Sequence, residues 1–506
     1  MLRILSFLLI AATTAYAQNS NPLFNQLEFG DYKVGYQLIK AYDKARSPLK
    51  EQLRLPENQQ IGRAIPIYFW YPASQNDGTM TFNNYLHEWA FGLNFEIDRS
   101  EIPKLARENF EEYYTNLSDS IIDQYFQLKI TTMAVKKASP ANGKFPVVTF
   151  NHGDIDRWWI WGEFLASHGI AVIGVPNAGT FQKRHEIGLS GLETQVRDME
   201  FAISQVAEFE FIDTKSIVTA GSSYGSLTAT ALATRNRNVK GVISLDGIIA
   251  DLNEGELLTK TPYFDYQLFD TPILHLHSGF SWSSNYILMD RMKNSNQYRI
   301  KMNGLRHSDY HFQGMTDLFG FTLVERETKN SSEGFHWVTQ YVLNFIKGVT
   351  SDSTHLAFLK NDPTKNGVPE GLIEANFVEG LNETYSASDL LAINQEQGFD
   401  AVKSIYEKQK AKNPQPFSPA TFFDFGLMLH RYNQIADEII WFNYYLESFP
   451  KSAEAMYRLA RLEALTGNEE AGKAKLIETK NLIDVDPHLT ADRKIHLLNR
   501  IERFFE

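Results

Sequence analysis

The 506 residues contain no cysteine. That excludes disulfides, a thiolate nucleophile, thiolate metal ligands and lipid attachment through sulfur. Basic residues are outnumbered by acidic ones: the net charge is −12 and no Lys/Arg-rich run occurs. The chain therefore lacks the basic field that attracts nucleic acid. Beyond the N-terminus, no stretch approaches the roughly 20 apolar residues of a membrane-spanning helix. What remains is 43 % hydrophobic and 22 % charged, a composition that supports a sizeable buried core. The length predicts two or more domains.

The N-terminus is the one place where apolar residues run together. Arg3 precedes the apolar run from Ile4 to Ala12, and Ala15-Tyr16-Ala17 supplies small residues where a signal peptidase reads. The pattern is that of a secretory signal cleaved before Gln18. The run is too short to span a bilayer, so export rather than anchoring is expected. An exported chain without disulfides fits a bacterial periplasm or exterior.

Residues 18–380 predict an α/β domain. Ile65 to Tyr71 is rich in β-forming residues and stops at Pro72. Residues 76–142 break the strand pattern and predict a helical insertion that covers a site. Its helices are expected at His87 to Phe95 and at Glu101 to Tyr114. A regular alternation then begins. Short apolar strands are expected at Phe145 to Phe150, Ile170 to Val175, Ile217 to Ala220, Val242 to Leu245, Ile273 to Leu276 and Tyr298 to Met302. Helices are expected at Trp161 to His168, Leu192 to Glu208, Ser226 to Thr234 and Phe335 to Ile346. Short apolar strands alternating with helices predict a mostly parallel sheet covered on both faces.

Residues 381–506 carry no strand-like runs. Pro414, Pro450 and Pro487 recur at spacings of 36 and 37 residues, and Gly426 and Ala460 lie 34 apart, with Ala436 and Ala471 at second-helix positions. This period predicts helix-turn-helix repeats of the tetratricopeptide type, a possible surface for a protein partner.

The chemistry centres on Gly221-Ser222-Ser223-Tyr224-Gly225, a G-x-S-x-G pattern entered by a strand and left by a helix. That setting presents Ser223 on a tight turn at a helix N-terminus, as a nucleophile requires. Ser222 is the neighbouring serine but not the motif position. A serine hydroxyl needs a base, and the base an orienting acid, in the chain order Ser, Asp, His. Asp246 follows a strand directly and is the candidate acid, ahead of Asp270 and Asp290. His307 follows the last strand through Gly304 and is the candidate base, with His311 as its competitor. His275 and His277, in or beside a strand, read as structural or pocket-lining, His336 starts the final helix, and His152 reads as a loop residue that holds the turn. The backbone N–H groups of Tyr224 and Asp154 are the candidate oxyanion donors. Trp158, Trp159 and Trp161, with Phe280 and Trp282, line a pocket or pack helices. No metal or cofactor is implied.

These segments resemble the secreted platelet-activating-factor acetylhydrolase group and related dienelactone-hydrolase-like esterases. The likeness covers roughly residues 60 to 360. FPVVTFNHG and FLASHGIAVIGV resemble the family's strand, His-Gly loop, helix and next strand. GSSYGS resembles its elbow, ISLDG its acid-bearing strand, NGLRHSDYHF its histidine loop, and FHWVTQYVLNFIKGV with HLAFLK its closing helices. The resemblance implies an α/β-hydrolase fold and hydrolysis of a small-molecule or lipid ester through an acyl-enzyme. Asp154 stands where the family more usually has an apolar residue, and the helical tail lies outside the family's core. A peptidase or polyester hydrolase uses the same chemistry. A binding protein working through its repeats is the alternative from another class.

Overall fold

The computed structural model describes residues 27–505, except 76, 77, 79, 152, 153, 252–254, 280–282, 322, 324–330 and 382. The expected signal segment, His152, Phe280 and Trp282 therefore lie outside the described residues.

Ten strands form one sheet. They are β1 (Lys33–Asp43), β2 (Arg63–Ala73), β3 (Ala134–Lys136), β4 (Phe145–Asn151), β5 (Ala171–Gly174), β6 (Ile212–Ser222), β7 (Val239–Leu245), β8 (Ile273–His277), β9 (Gln297–Met302) and β10 (Ile373–Val378). Their order is β10-β9-β8-β7-β6-β4-β5-β2-β1-β3. β4 pairs parallel with both β5 and β6, and β6 parallel with β7, whereas β2 runs antiparallel to β1 and β5. The central strands are apolar on both faces: Val147, Val148, Val172, Ile173, Val218, Val242 and Ile243 are all buried. That is why they read as continuous runs rather than alternations. With helices between the strands and a helical tail, this is an α/β-hydrolase fold followed by an all-helical region.

The strand order places the site. The chain leaves β4 toward β5 on one side, then returns to lay β6 on the other. In open α/β sheets ligands bind outside the carboxyl ends of strands at such a reversal. The residues there are Asn151, paired with Gly221, and Ser222 at the end of β6.

Three strands escape the pattern of the sequence. β1 carries Lys33, Gln37 and Lys40 among its apolar residues, and it is recruited by pairing along its length with the fully buried β2. β3 and β10 are the edge strands, of 3 and 6 residues; β3 is too short to show a period, and β10 buries only Ile373 and so carries no apolar run.

The insertion after β2 holds α1 (Phe82–Leu86), α2 (Ile102–Tyr113) and α3 (Asp119–Phe126). The expected helix from His87 is a short 3-10 turn, His87–Phe91. The insertion is anchored on α4 (Ile155–Ser167) through Glu163. Tyr85 Oη donates to Glu163 Oε1 at 2.8 Å, and the Met133 and Ala134 amides donate at 2.9 and 3.2 Å. Burial raises the Glu163 carboxyl to about 7. α4 begins six residues before the expected Trp161. It is apolar almost all round and buried on nearly every side, so it shows no amphipathic start. Gly162 lets it touch the sheet, since a Cβ there would lie 2.2 Å from the Trp70 ring.

The remaining helices of this unit are α5 (Leu189–Val206), α6 (Gly225–Arg235), α7 (Ser331–Thr350) and α8 (Leu356–Lys360).

A second compact unit comprises residues 249–273, 285–298 and 377 onward. Its helices are α9 (Ala387–Gln397), α10 (Phe399–Lys410), α11 (Pro419–Arg431), α12 (Ile435–Ser448), α13 (Ala453–Leu465), α14 (Glu469–Ile483) and α15 (Ala491–Phe505). The pair α11–α12 and the pair α13–α14 begin 34 residues apart, at Pro419 and Ala453 and again at Ile435 and Glu469. Pro414, Pro450 and Pro487 fall in the connections. An aromatic core of Phe422, Phe425, Trp441 and Tyr445 holds the first pair, and Gly426 packs directly against the Phe442 ring. Among the described residues no helix is long and apolar enough to cross a membrane.

Candidate active site

Ser223 stands between β6 and α6 with φ 53°, a left-handed conformation that costs a non-glycine residue about 1–3 kcal/mol unless its surroundings enforce it. Here they do. Ser223 N donates to Leu245 O at 3.3 Å. Its carbonyl accepts from Ser226 N at 3.1 Å, Ser226 Oγ at 2.7 Å and Ile248 N at 3.3 Å. The turn is possible because Gly221 has no side chain: a Cβ there would sit 2.1 Å from the Gly225 carbonyl oxygen. The same geometry puts Ser223 and the backbone of Tyr224 at the N-terminus of α6, where partial positive charge gathers.

Asp246 follows β7 and is also strained, with φ 44°. Its N–H donates to Leu276 O at 2.7 Å, tying the turn to the next strand. The carboxylate is fully buried, and both oxygens are engaged. Oδ2 lies 2.9 Å from His307 Nδ1. Oδ1 accepts from Ser278 N at 2.9 Å and Ser278 Oγ at 2.8 Å. Burial pushes its pKa upward, but the bonds from His307 and Ser278 outweigh burial and hold it below the ordinary value.

His307 opens a 3-10 turn, His307–Tyr310, after β9. Arg306 N donates to Asp309 Oδ2 at 2.8 Å and fixes the turn. An ionised carboxylate only accepts, so Nδ1 of His307 carries a proton and Nε2 is left as the acceptor in the neutral ring.

Ser222, Ser223, His307, Ser308, His311, Gln313, Arg157 and Trp158 line one cavity of about 170 Å³. Serine, imidazole and a buried carboxylate thus come together from three strand ends. That set can deprotonate a hydroxyl and return the proton to a leaving group. His311 shares the cavity but does not touch Asp246. It is buried against Trp158, with ring centroids 6.0 Å apart. Burial, with Arg157 and His307 nearby, drives its pKa well below the histidine range, so it is neutral.

The other sequence candidates have separate surroundings. His275 and His277 stack at 5.2 Å inside the sheet. His275 is held by Ser244 Oγ at 2.9 Å and Ser283 O at 2.7 Å. Burial lowers the two to about 4 and about 3. His336 lies on α7 beside Trp337. Asp270 and Asp290 belong to the second unit. Of the three tryptophans, Trp158 lines the cavity. Trp159 packs against Phe82, Tyr85 and Phe312, and Trp161 donates to Tyr310 O at 2.9 Å. Asp154 precedes α4. Its carboxylate accepts from Tyr113 Oη at 3.0 Å and lines a neighbouring cavity with Arg63, Trp89 and Asp198. Tyr224 Oη donates to Gly188 O at 2.8 Å. Among the described residues no cluster of three His, Asp or Glu side chains is arranged to hold a metal.

Sequence reasoning did not find Ser278, Gln313 or Arg157. Ser278 had a signal, since it follows β8 directly on the edge where Asp246 follows β7. Arg157 was masked by its tryptophan neighbours. Gln313 is placed by a turn whose course the sequence does not give.

No protein-family model matches the chain, and no curated protein matches it in sequence. Among solved structures, a ferulic acid esterase from Streptomyces cinnamoneus superposes with a TM-score of 0.46 at 15 % identity. The overlap covers 68 % of this chain and 96 % of the other. A superposition that loose says nothing of substrate.

Proposed function

We propose that the protein is a serine hydrolase of carboxylic esters. The observation that carries this is the 2.9 Å contact between His307 Nδ1 and Asp246 Oδ2, with His307 in the same cavity as the strained Ser223. In this reading His307 Nε2 takes the Ser223 proton as Oγ attacks the ester carbonyl. Asp246 orients the imidazole and stabilises its charge, while Ser278 holds Asp246. The N–H groups of Tyr224 and Asp154 receive the oxyanion. His307 protonates the departing alcohol, leaving an acyl-Ser223 ester, and then deprotonates the water that releases the acid. The cavity is smaller than the roughly 300–1,000 Å³ of drug-sized pockets, which favours a short acyl group. The leader sequence supports export after cleavage before Gln18. The 34-residue spacing of helix pairs supports a tetratricopeptide-like tail that binds a partner or buttresses its own unit.

The test is hydrolysis of p-nitrophenyl esters from acetate to palmitate by the mature protein and by Ser223→Ala. Turnover is expected to be greatest on the shortest acyl groups and to vanish in the variant. No turnover on any chain length would remove the esterase reading and bring a peptidase forward.

A further inference from the structure

Among the groups of the cavity that the catalytic reading leaves unused are Arg157 and His311. Arg157 donates from Nε to Tyr114 Oη at 3.0 Å and lies 3.8 Å from Asp154 Oδ2, with the Tyr113 and Tyr114 rings 6.0 and 5.6 Å from its guanidinium carbon. Tyr114 Oη also accepts from Gln313 Nε2 at 2.6 Å, and Gln313 Nε2 donates to Asp156 Oδ2 at 2.9 Å. The guanidinium is thereby clamped at one end. Its two terminal nitrogens hydrogen-bond to no described residue, although Arg157 lines the cavity with Ser223. His311, 5 % exposed, lines the same cavity; its Nδ1 is sealed off, so a molecule in the cavity meets the ring through its other atoms.

The charge around Arg157 decides what fits. Asp154 and Asp156 already face it, so a fully anionic ligand would meet two carboxyl groups as it approached one cation. A hydroxyl avoids that conflict. It accepts from an Arg157 N–H and exchanges a hydrogen bond with the neutral imidazole, which carries one donor and one acceptor. A purely aliphatic group in the same place would leave the terminal guanidinium nitrogens without a partner. Sites built to bond a hydroxyl reject the analogue lacking it far more strongly than apolar pockets reject a methylene.

We infer that Arg157 and His311 form a subsite for a hydroxyl group near the scissile bond, making the substrate a small hydroxylated ester. This rests on Ser223 being the nucleophile of an esterase.

The experiment uses two near-isosteric pairs followed by pH-stat: ethyl glycolate against ethyl propanoate for the acyl half, and glycerol monoacetate against butyl acetate for the alcohol half. The wild-type protein is expected to favour the hydroxylated member of at least one pair by tenfold or more in kcat/KM. Arg157→Lys and His311→Phe are expected to bring that ratio toward unity. No preference in either pair overturns the subsite, and so does a ratio that neither variant changes. The wild-type ratio decides even if a variant fails to fold. If all four esters are cleaved alike and Ser223→Ala cleaves none, the subsite fails and the esterase reading stands. If the wild type cleaves none of the four, the esterase reading fails and the subsite falls with it.

Discussion

The ends of β6 and β7 and the helices of the tail are stabilised in different ways. At the sheet edge two non-glycine residues, Ser223 and Asp246, are held at φ 53° and 44° by hydrogen bonds from neighbouring turns. In α11 to α14 the only non-glycine residue with positive φ is Asn433, in the turn between α11 and α12. Stability there comes from aromatic packing and from serine caps. Ser418 Oγ accepts from Thr421 N at 3.0 Å and Ser452 Oγ accepts from Ala455 N at 3.3 Å. The contrast teaches where to look for chemistry. At the sheet edge the left-handed residues are Ser223, which lines the cavity, and Asp246, which bonds His307, while the tail helices are regular backbone held by packing.

The contrast breaks most sharply at the acid. If Asp246 orients the base as proposed, Asp246→Asn keeps the shape of the side chain but cannot hold His307 in the right tautomer, and kcat is expected to fall on the order of 10⁴-fold, the loss typical of a Ser-His-Asp triad. Circular dichroism should show the fold intact. A loss below tenfold would mean Asp246 is a structural turn residue.

Asp156 tests the buried charge behind the cavity. Burial, offset in part by Arg157, raises its carboxyl to about 6. A raised folded-state value means the fold favours the neutral acid. Below about pH 4 the group is protonated both folded and unfolded and contributes no difference. As pH rises through 6 it ionises in the fold at a cost of roughly 3 kcal/mol, at about 1.4 kcal/mol per pKa unit. Urea melts should show Asp156→Asn gaining about that much relative to wild type between pH 4 and pH 7. A gap independent of pH would contradict the assignment.

In the tail, Gly426→Ala introduces a Cβ 2.5 Å from the Phe442 ring. Overpacking of this kind costs about 1–3 kcal/mol. Thermal melts should show the loss, while ester hydrolysis at 25 °C is unchanged. The smallest effect belongs to Ser452→Ala, which removes a helix cap and should cost ~1 kcal/mol. If either tail substitution abolished hydrolysis while the protein stayed folded, the division between presented chemistry and plain packing would not hold.

Local features were legible in the residues alone. The central strands show as apolar runs because both faces are buried. Ser223 shows because a tight strand-turn-helix demands glycine at 221 and 225. The tail shows because its small residues and prolines recur at near-constant spacing. Tertiary structure decided the rest, because it concerns residues far apart in the chain. Asp246 and His307 are 61 positions apart, and only the strand order brings His307 to the carboxylate and leaves His311 against Trp158. β1 becomes a strand by pairing with β2, whatever its own composition. Arg157 looks like one polar residue in an aromatic helix. Its place beside Ser223, clamped by a tyrosine from the inserted α-helices, depends on how β4 and β6 lie side by side, and hydrophobic periodicity carries no information about that.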